Sequence, residues 1–100
     1  MNIEFTRDGS TLTAVITGRI DTNSAPETEE KIMSEIKDAD KLVLDFAHVD
    51  YISSAGLRVL LLLHKTMQPK GGMKVIHINE TVQEVLDITG FADILTLDER

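Results

Sequence analysis

Residues 11–17 (TLTAVIT) alternate, with Leu12, Ala14 and Ile16 set against Thr11, Thr13, Val15 and Thr17. A period of two, rich in β-branched residues, predicts a strand with one face turned inward. Residues 3–7 alternate more loosely, and Asp8-Gly9-Ser10 separates the two runs. Two such runs around Asp-Gly read as a β-hairpin with its outer strand at or near a sheet edge. The pattern then changes to a helical one. Ile32, Met33 and Ile36 form an apolar stripe, and Ser24-Ala25-Pro26-Glu27 has the spacing of a capping box with proline in the first turn. Glu27, Glu29 and Glu30 load the positive end of this helix, placed at 25–38.

Residues 41–46 (KLVLDF) read as a buried strand. Leu57, Leu60, Leu61 and His64 follow at helical spacing, so a second helix is expected over 54–67, apolar on most faces and well buried. Pro69 and Gly71-Gly72 end it. A strand is expected over 73–78. A third helix follows, with Asn79 as N-cap, Val82, Val85 and Leu86 as its stripe and Gly90 as its C-terminal stop. Residues 94–97 suit a last short strand. The order β-β-α-β-α-β-α-β predicts an α/β fold whose sheet has parallel neighbours.

The chain has 100 residues, one domain's worth, so 1–100 is read as a single domain. With 42% apolar residues it can build a core. It has no cysteine, which excludes disulfides, iron–sulfur clusters, thiolate zinc sites and thiol nucleophiles. The net charge is −7, which argues against nucleic acid and anionic membranes as partners. That charge is uneven: residues 1–50 carry five basic and eleven acidic side chains, and residues 51–100 carry five and six. The acidic bias lies on the first helix and its flanks, where a solvated face is the simplest reading. The longest apolar run is 59–63, far below the roughly 18 residues of a membrane span. The N-terminus has neither a basic region nor an apolar one, so no signal peptide is expected and the cytoplasm is the expected compartment.

The stretch 45–63 (DFAHVDYISSAGLRVLLLL) holds the candidate chemistry. A buried strand ends, a short polar turn follows, and two serines stand at the mouth of an apolar helix. In open α/β sheets function collects at the carboxyl ends of strands. Ser53 or Ser54 should cap the helix, beside free backbone N–H groups that favour an anion. Capping alone is an equally good account of the two serines. Gly56 is read as a point where another chain approaches closely, so a large residue there is expected to block a partner and spare the fold. Other chemistry is weaker. His48, His64 and His77 are scattered over a turn, a helix and a strand, without metal-ligand spacing. No nucleophile elbow, Walker or dinucleotide fingerprint occurs. Asp45 and Asp50 are read as satisfying loop N–H groups and setting the potential around Ser54. Met33, Met67 and Met73 are read as core or core-edge.

Residues 51–60 (YISSAGLRVL) resemble the signature of STAS domains, the anti-sigma-factor antagonists of bacterial partner-switching systems. Three segments agree: Gly18-Arg19-Ile20-Asp21 with the family's turn after the second strand, 41–46 with its buried third strand, and 86–91 (LDITGF) with its late Leu-x-x-[Ser/Thr]-Gly motif. The resemblance covers nearly the whole chain. It implies a mixed β-sheet with helices packed mainly on one face. It also implies an anti-anti-sigma factor that is not an enzyme and needs no cofactor. Unphosphorylated, such a protein binds an anti-sigma serine kinase of the GHKL type and frees the sigma factor; phosphorylated, it lets go. The ATP and Mg²⁺ belong to the kinase, and a serine phosphatase is a further partner. The matching phosphoacceptor is Ser54. The implied interface joins Asp21, Thr22, Asn23 and Ser24 to Ser53, Ala55, Gly56 and Leu57. The chain departs from the pattern at Ser53, where the family has Asp, and at Ala55, where Ser or Thr is frequent. It stops at Arg100, leaving the family's usual last helix short or missing. The missing Asp favours an alternative, a non-switching docking or scaffold module in a larger signalling or lipid-handling complex. A rival of another class is a small serine hydrolase using Ser54 with His48 or His77.

Overall fold

The alternation at the start of the chain closes into a hairpin because Asp8-Gly9-Ser10 interrupts it at the right place. In the computed structural model, which describes residues 2–94 and 96–98, β1 (Asn2–Asp8) pairs antiparallel with β2 (Thr11–Ile20). The rest of the sheet is parallel: β2 with β3 (Lys41–Ile52), β3 with β4 (Met73–Ile76), and β4 with β5 (Thr96–Asp98). The order across the sheet is β1-β2-β3-β4-β5, so β1 is an edge, as expected. Helices α1 (Ala25–Glu35), α2 (Ser54–Met67) and α3 (Glu80–Thr89) connect the parallel strands. The fold is the mixed α/β arrangement β-β-α-β-α-β-α-β.

The sheet's two faces differ as the alternation requires. Leu12, Ala14 and Ile16 of β2 lie with Leu42, Leu44 and Phe46 of β3 and Val75 of β4 on a face that is fully buried. Ile32, Leu60, Leu63, Met67, Val82 and Leu86 pack down on them from the helices. On the opposite face Thr13, Val15, Val43, Asp45 and Ile76 keep partial access to solvent. Each fully buried Leu, Ile or Phe contributes about 1.5–3 kcal/mol of transfer free energy. Among the described residues no helix is long and apolar enough to cross a membrane.

Several boundaries differ from the sequence expectation. Strand β3 runs to Ile52, not Phe46, because β2 continues to Ile20 and pairs with it through register shifts between Val15 and Thr17 and between Gly18 and Arg19. Of residues 47–50 only Val49 is buried, so this half of the strand has a polar composition that reads as a turn. Helix α1 stops at Glu35, and Ile36–Asp38 continue as one 3-10 turn. No basic residue stands in the last turn of α1. Remote cations serve instead: the Arg7 guanidinium donates to the Glu35 carbonyl at 2.6 Å, and Lys70 Nζ donates to Ile36 and Ala39, each at 3.1 Å. β4 ends at Ile76, ahead of the expected Ile78, because His77 takes a left-handed φ of 59°. Helix α3 starts and stops where expected. Asn79 Oδ1 accepts from the Val82 N–H at 2.8 Å, and Gly90 caps the end at φ 81°. β5 begins at Thr96, later than the expected 94, after a 3-10 turn over Phe91–Asp93. Leu95, within the expected strand, lies outside the described residues.

Candidate functional site

Two turns meet at the carboxyl ends of β2 and β3. These strands are parallel neighbours with Ile20 opposite Ile52, so the turns that leave them are side by side. The Ser53 N–H donates to the Ile20 carbonyl at 2.8 Å and ties one turn to the other. Arg19 lies opposite Tyr51 in the register, with its guanidinium 4.7 Å from the ring centroid. This cation–π contact holds the ends of the two strands together. Neither side chain was singled out by sequence reasoning, because the pair forms only once the strand register is known.

The 21–24 turn is built on Asp21. Its Oδ1 accepts from the Asn23 and Ser24 N–H groups, each at 3.0 Å, and its carbonyl accepts from the Ala25 N–H at 2.8 Å. The hydrogen bond from the Ser24 N–H is the largest influence on this carboxyl. It holds Asp21 below its ordinary value of 3.8 against a small loss of solvation, helped by Asn23 N–H, the Ser24 hydroxyl and Arg19. The expected capping box is absent. Ser24 has helical angles, φ −94° and ψ −17°, so its hydroxyl points back down the chain. It donates to the Arg19 carbonyl at 2.7 Å and accepts from the Asp21 N–H at 3.0 Å.

The second turn distinguishes the two serines. Ser53 is extended, at φ −94° and ψ 177°, and its Oγ accepts from the Gly56 N–H at 3.4 Å. It is therefore the N-cap. Ser54 is the first residue of α2 and is exposed. Among the described residues no hydrogen bond engages its hydroxyl. No acidic residue stands in the first turn of α2, so the positive end of the helix is uncompensated there.

Of the expected partner-binding residues, Thr22, Asn23 and Ser54 are exposed, while Asp21, Ser24, Ser53 and Ala55 are partly accessible. Gly56 and Leu57 are not at the surface. Leu57 is 5% exposed and belongs to the core. A Cβ at Gly56 would lie 2.6 Å from Ile52 Cγ1, 2.8 Å from Ile20 Cγ2 and 3.0 Å from the Ile20 carbonyl oxygen. The close approach made possible by this glycine is internal, between α2 and the ends of β2 and β3. The expectation that a large residue there spares the fold is corrected accordingly.

Asp45 lies elsewhere. It pairs with Ile76 across the sheet, and its Oδ1 accepts from the Ala47 N–H at 3.0 Å and meets His77 Nδ1 at 2.9 Å. Burial alone would raise this carboxyl. The hydrogen bonds from His77 and the Ala47 N–H, with the nearby His77 and His48, outweigh that and hold it below 3.8. Seven strand residues at about 3.3 Å each separate Asp45 from the end of β3, so this pair is on the order of 20 Å from Ser54. Asp45 satisfies a local N–H as expected, but it does not set the potential at Ser54. No hydrogen bond joins His48 or His77 to Ser54 among the described residues, and no group of three or more His, Asp or Glu there could hold a metal ion.

The STAS domain family matches residues 2–100. A protein named as a candidate anti-sigma factor antagonist, BtrV of Bordetella bronchiseptica, is 33% identical over 96 residues, covering 94% of this chain and 83% of its own. The anti-sigma-B factor antagonist of Bacillus subtilis is 28% identical over 101 residues, covering 100% and 93%. The solved anti-sigma factor antagonist SpoIIAA, in its unphosphorylated form, superposes with a TM-score of 0.84 at 14% identity, over 99% of this chain and 88% of its own. Its phosphorylated form, from Bacillus, superposes at 0.76 and 14% identity, over 99% and 91%. The fold, the paired turns at the ends of β2 and β3, and these matches together make the chain a member of the STAS domain family, with relatives among the anti-sigma factor antagonists.

Proposed function

We propose that this protein is an anti-sigma factor antagonist that works by partner switching. Unphosphorylated, it binds an anti-sigma serine kinase and so frees a sigma factor; phosphate on Ser54 releases the kinase. The reading rests on one observation. Of two adjacent serines, Ser53 is committed to the helix cap, while Ser54 presents a hydroxyl with no hydrogen bond in the described structure. An exposed hydroxyl at an uncompensated helix start is accessible to a phosphoryl donor, and the product anion is tolerated there. The 21–24 turn, tied to this turn through Ser53 N–H and Ile20, supplies the neighbouring half of the docking surface. The protein then acts by binding, in the cytoplasm, and ATP with its Mg²⁺ is the kinase's own substrate. A serine phosphatase resets the switch.

Ser53 in place of the family's Asp favours the second reading, a docking module that does not switch. Incubation with the cognate kinase, ATP and Mg²⁺, followed by intact mass and peptide mapping, decides between them. One phosphate on Ser54, absent from Ser54→Ala, is the expected result. Kinase that binds without phosphorylating leaves the docking module.

A further inference from the structure

Beside Ser54 the surface dips between α1 and α2. Ala25 and Val59 are buried there, at 3% and 4% exposure, and Met33 and Ala55 are partly buried. Pro26 stands exposed at the edge. The two alanines leave a depression with an apolar floor between helices that otherwise pack closely. Its rim is charged and unbalanced. Glu29 and Glu30 come from α1 and Arg58 from α2, all three exposed. Among the described residues none of the three has an ion-pair partner, whereas Glu27, on the same helix, pairs with Lys31 at 3.0 Å. A carboxylate that served only to complement the helix start would belong in the first turn, and only Glu27 is there. Glu29 and Glu30 are thus acids that neither the helix nor a salt bridge uses.

We infer that this groove is the second half of the kinase-docking surface, and that it takes an apolar side chain flanked by lysine or arginine from the anti-sigma factor. The inference rests on the reading above and extends it from the two turns to the α1–α2 groove. Continuity supports it, since Ala55 belongs to both the Ser54 turn and the groove floor. Charge complementarity supports it too. Two unpaired carboxylates against one guanidinium leave the rim net negative, and such rims steer oppositely charged partners and fix their register. An apolar floor with a charged edge is the usual layout of a groove that receives an amphipathic segment.

The test is calorimetry of the unphosphorylated protein against its cognate anti-sigma factor, at low and high salt, with three variants. Met33→Gln removes the apolar character of the floor at nearly constant size. Glu29→Lys with Glu30→Lys reverses the rim. Ser54→Asp addresses the switch. The first two should each weaken binding about tenfold or more, and the rim variant should also lose the salt dependence. All should keep the wild-type circular dichroism and unfolding midpoint. If Ser54→Asp weakens binding while both groove variants bind like wild type, the groove is overturned and the switch stands. If Ser54→Asp binds like wild type, the switch fails, while the groove variants still decide the groove. Tighter binding by the rim reversal would mean an acidic partner and overturn the inference. So would a dimer in sedimentation that the rim reversal dissociates, because a second copy of this chain would then occupy the groove.

Discussion

At the scale of single residues, the sequence shows which side chains are unusual but not what they touch. Gly56 is the clearest case. Glycine in a helix normally costs about 0.5–1 kcal/mol relative to alanine, so Gly56→Ala would be expected to stabilise α2. The approaches of 2.6 and 2.8 Å reverse that expectation, because the isoleucines they involve are buried and the Ile20 carbonyl oxygen lies at 3.0 Å as well. Gly56→Ala should lower stability by about 1–3 kcal/mol, the usual cost of overpacking. Urea unfolding with an unchanged m-value measures it, and a variant as stable as the wild type would show that the ends of β2 and β3 yield freely. Gly56→Trp should fail to reach the native fold. Asp45 carries a second prediction. Its carboxyl is depressed in the folded state, so its contribution is fully present above the ordinary value of 3.8 and is lost as pH falls through the lower folded value. Asp45→Asn should therefore be less stable than wild type at neutral pH, and the gap should narrow below about pH 4. Paired urea midpoints across that range check the sign.

Whole elements were more legible, and the misses share a cause. α2 and α3 lie where Asn79, Gly90 and the apolar spacings put them, because caps and stripes are local signals. The second half of β3 was not legible. Its buried residues, Val49 and Ile52, stand three apart and so break the period of two, and its pairing with the end of β2 depends on register shifts that no single segment encodes. Ser24 misled for a similar reason. The Ser-x-x-Glu spacing is present, but Asp21, three residues earlier, captures the N–H groups of the turn and leaves Ser24 helical. Ser53 is a true cap with a long bond of 3.4 Å. Ser53→Ala should cost about 0.5–1 kcal/mol, the lower part of the range for capping residues. For a domain of this size that is a fall of a few degrees in Tm, readable by thermal circular dichroism. A larger loss would mean that the hydroxyl does more than cap. Phe46→Ala, at the centre of the buried face, should cost about 3–5 kcal/mol.

For the whole molecule, the sheet and its helices hold two turns in register at one end and leave the Ser54 hydroxyl exposed there, with no hydrogen bond among the described residues. The family pattern in 51–60 marks the second of these turns as the candidate site. What the pattern could not show is which serine the helix uses, since either could cap it. Under the proposed function, the switch would act at the surface. A phosphate adds about −1.5 to −2 charges at pH 7 and meets the positive end of α2, a local gain of about 0.3–1 kcal/mol. The partner would have to bury that same charge, at a cost of about 2–5 kcal/mol. The loss outweighs the gain, so phosphorylation should release the partner and spare the fold. The most direct measurement is the affinity of the unphosphorylated and Ser54-phosphorylated protein for the cognate anti-sigma factor, with circular dichroism of both forms. Affinity should fall by roughly 30-fold to several-thousand-fold, at about 1.4 kcal/mol per decade, with unchanged spectra. Equal affinities, or a phosphorylated form that has lost its fold, would contradict the account.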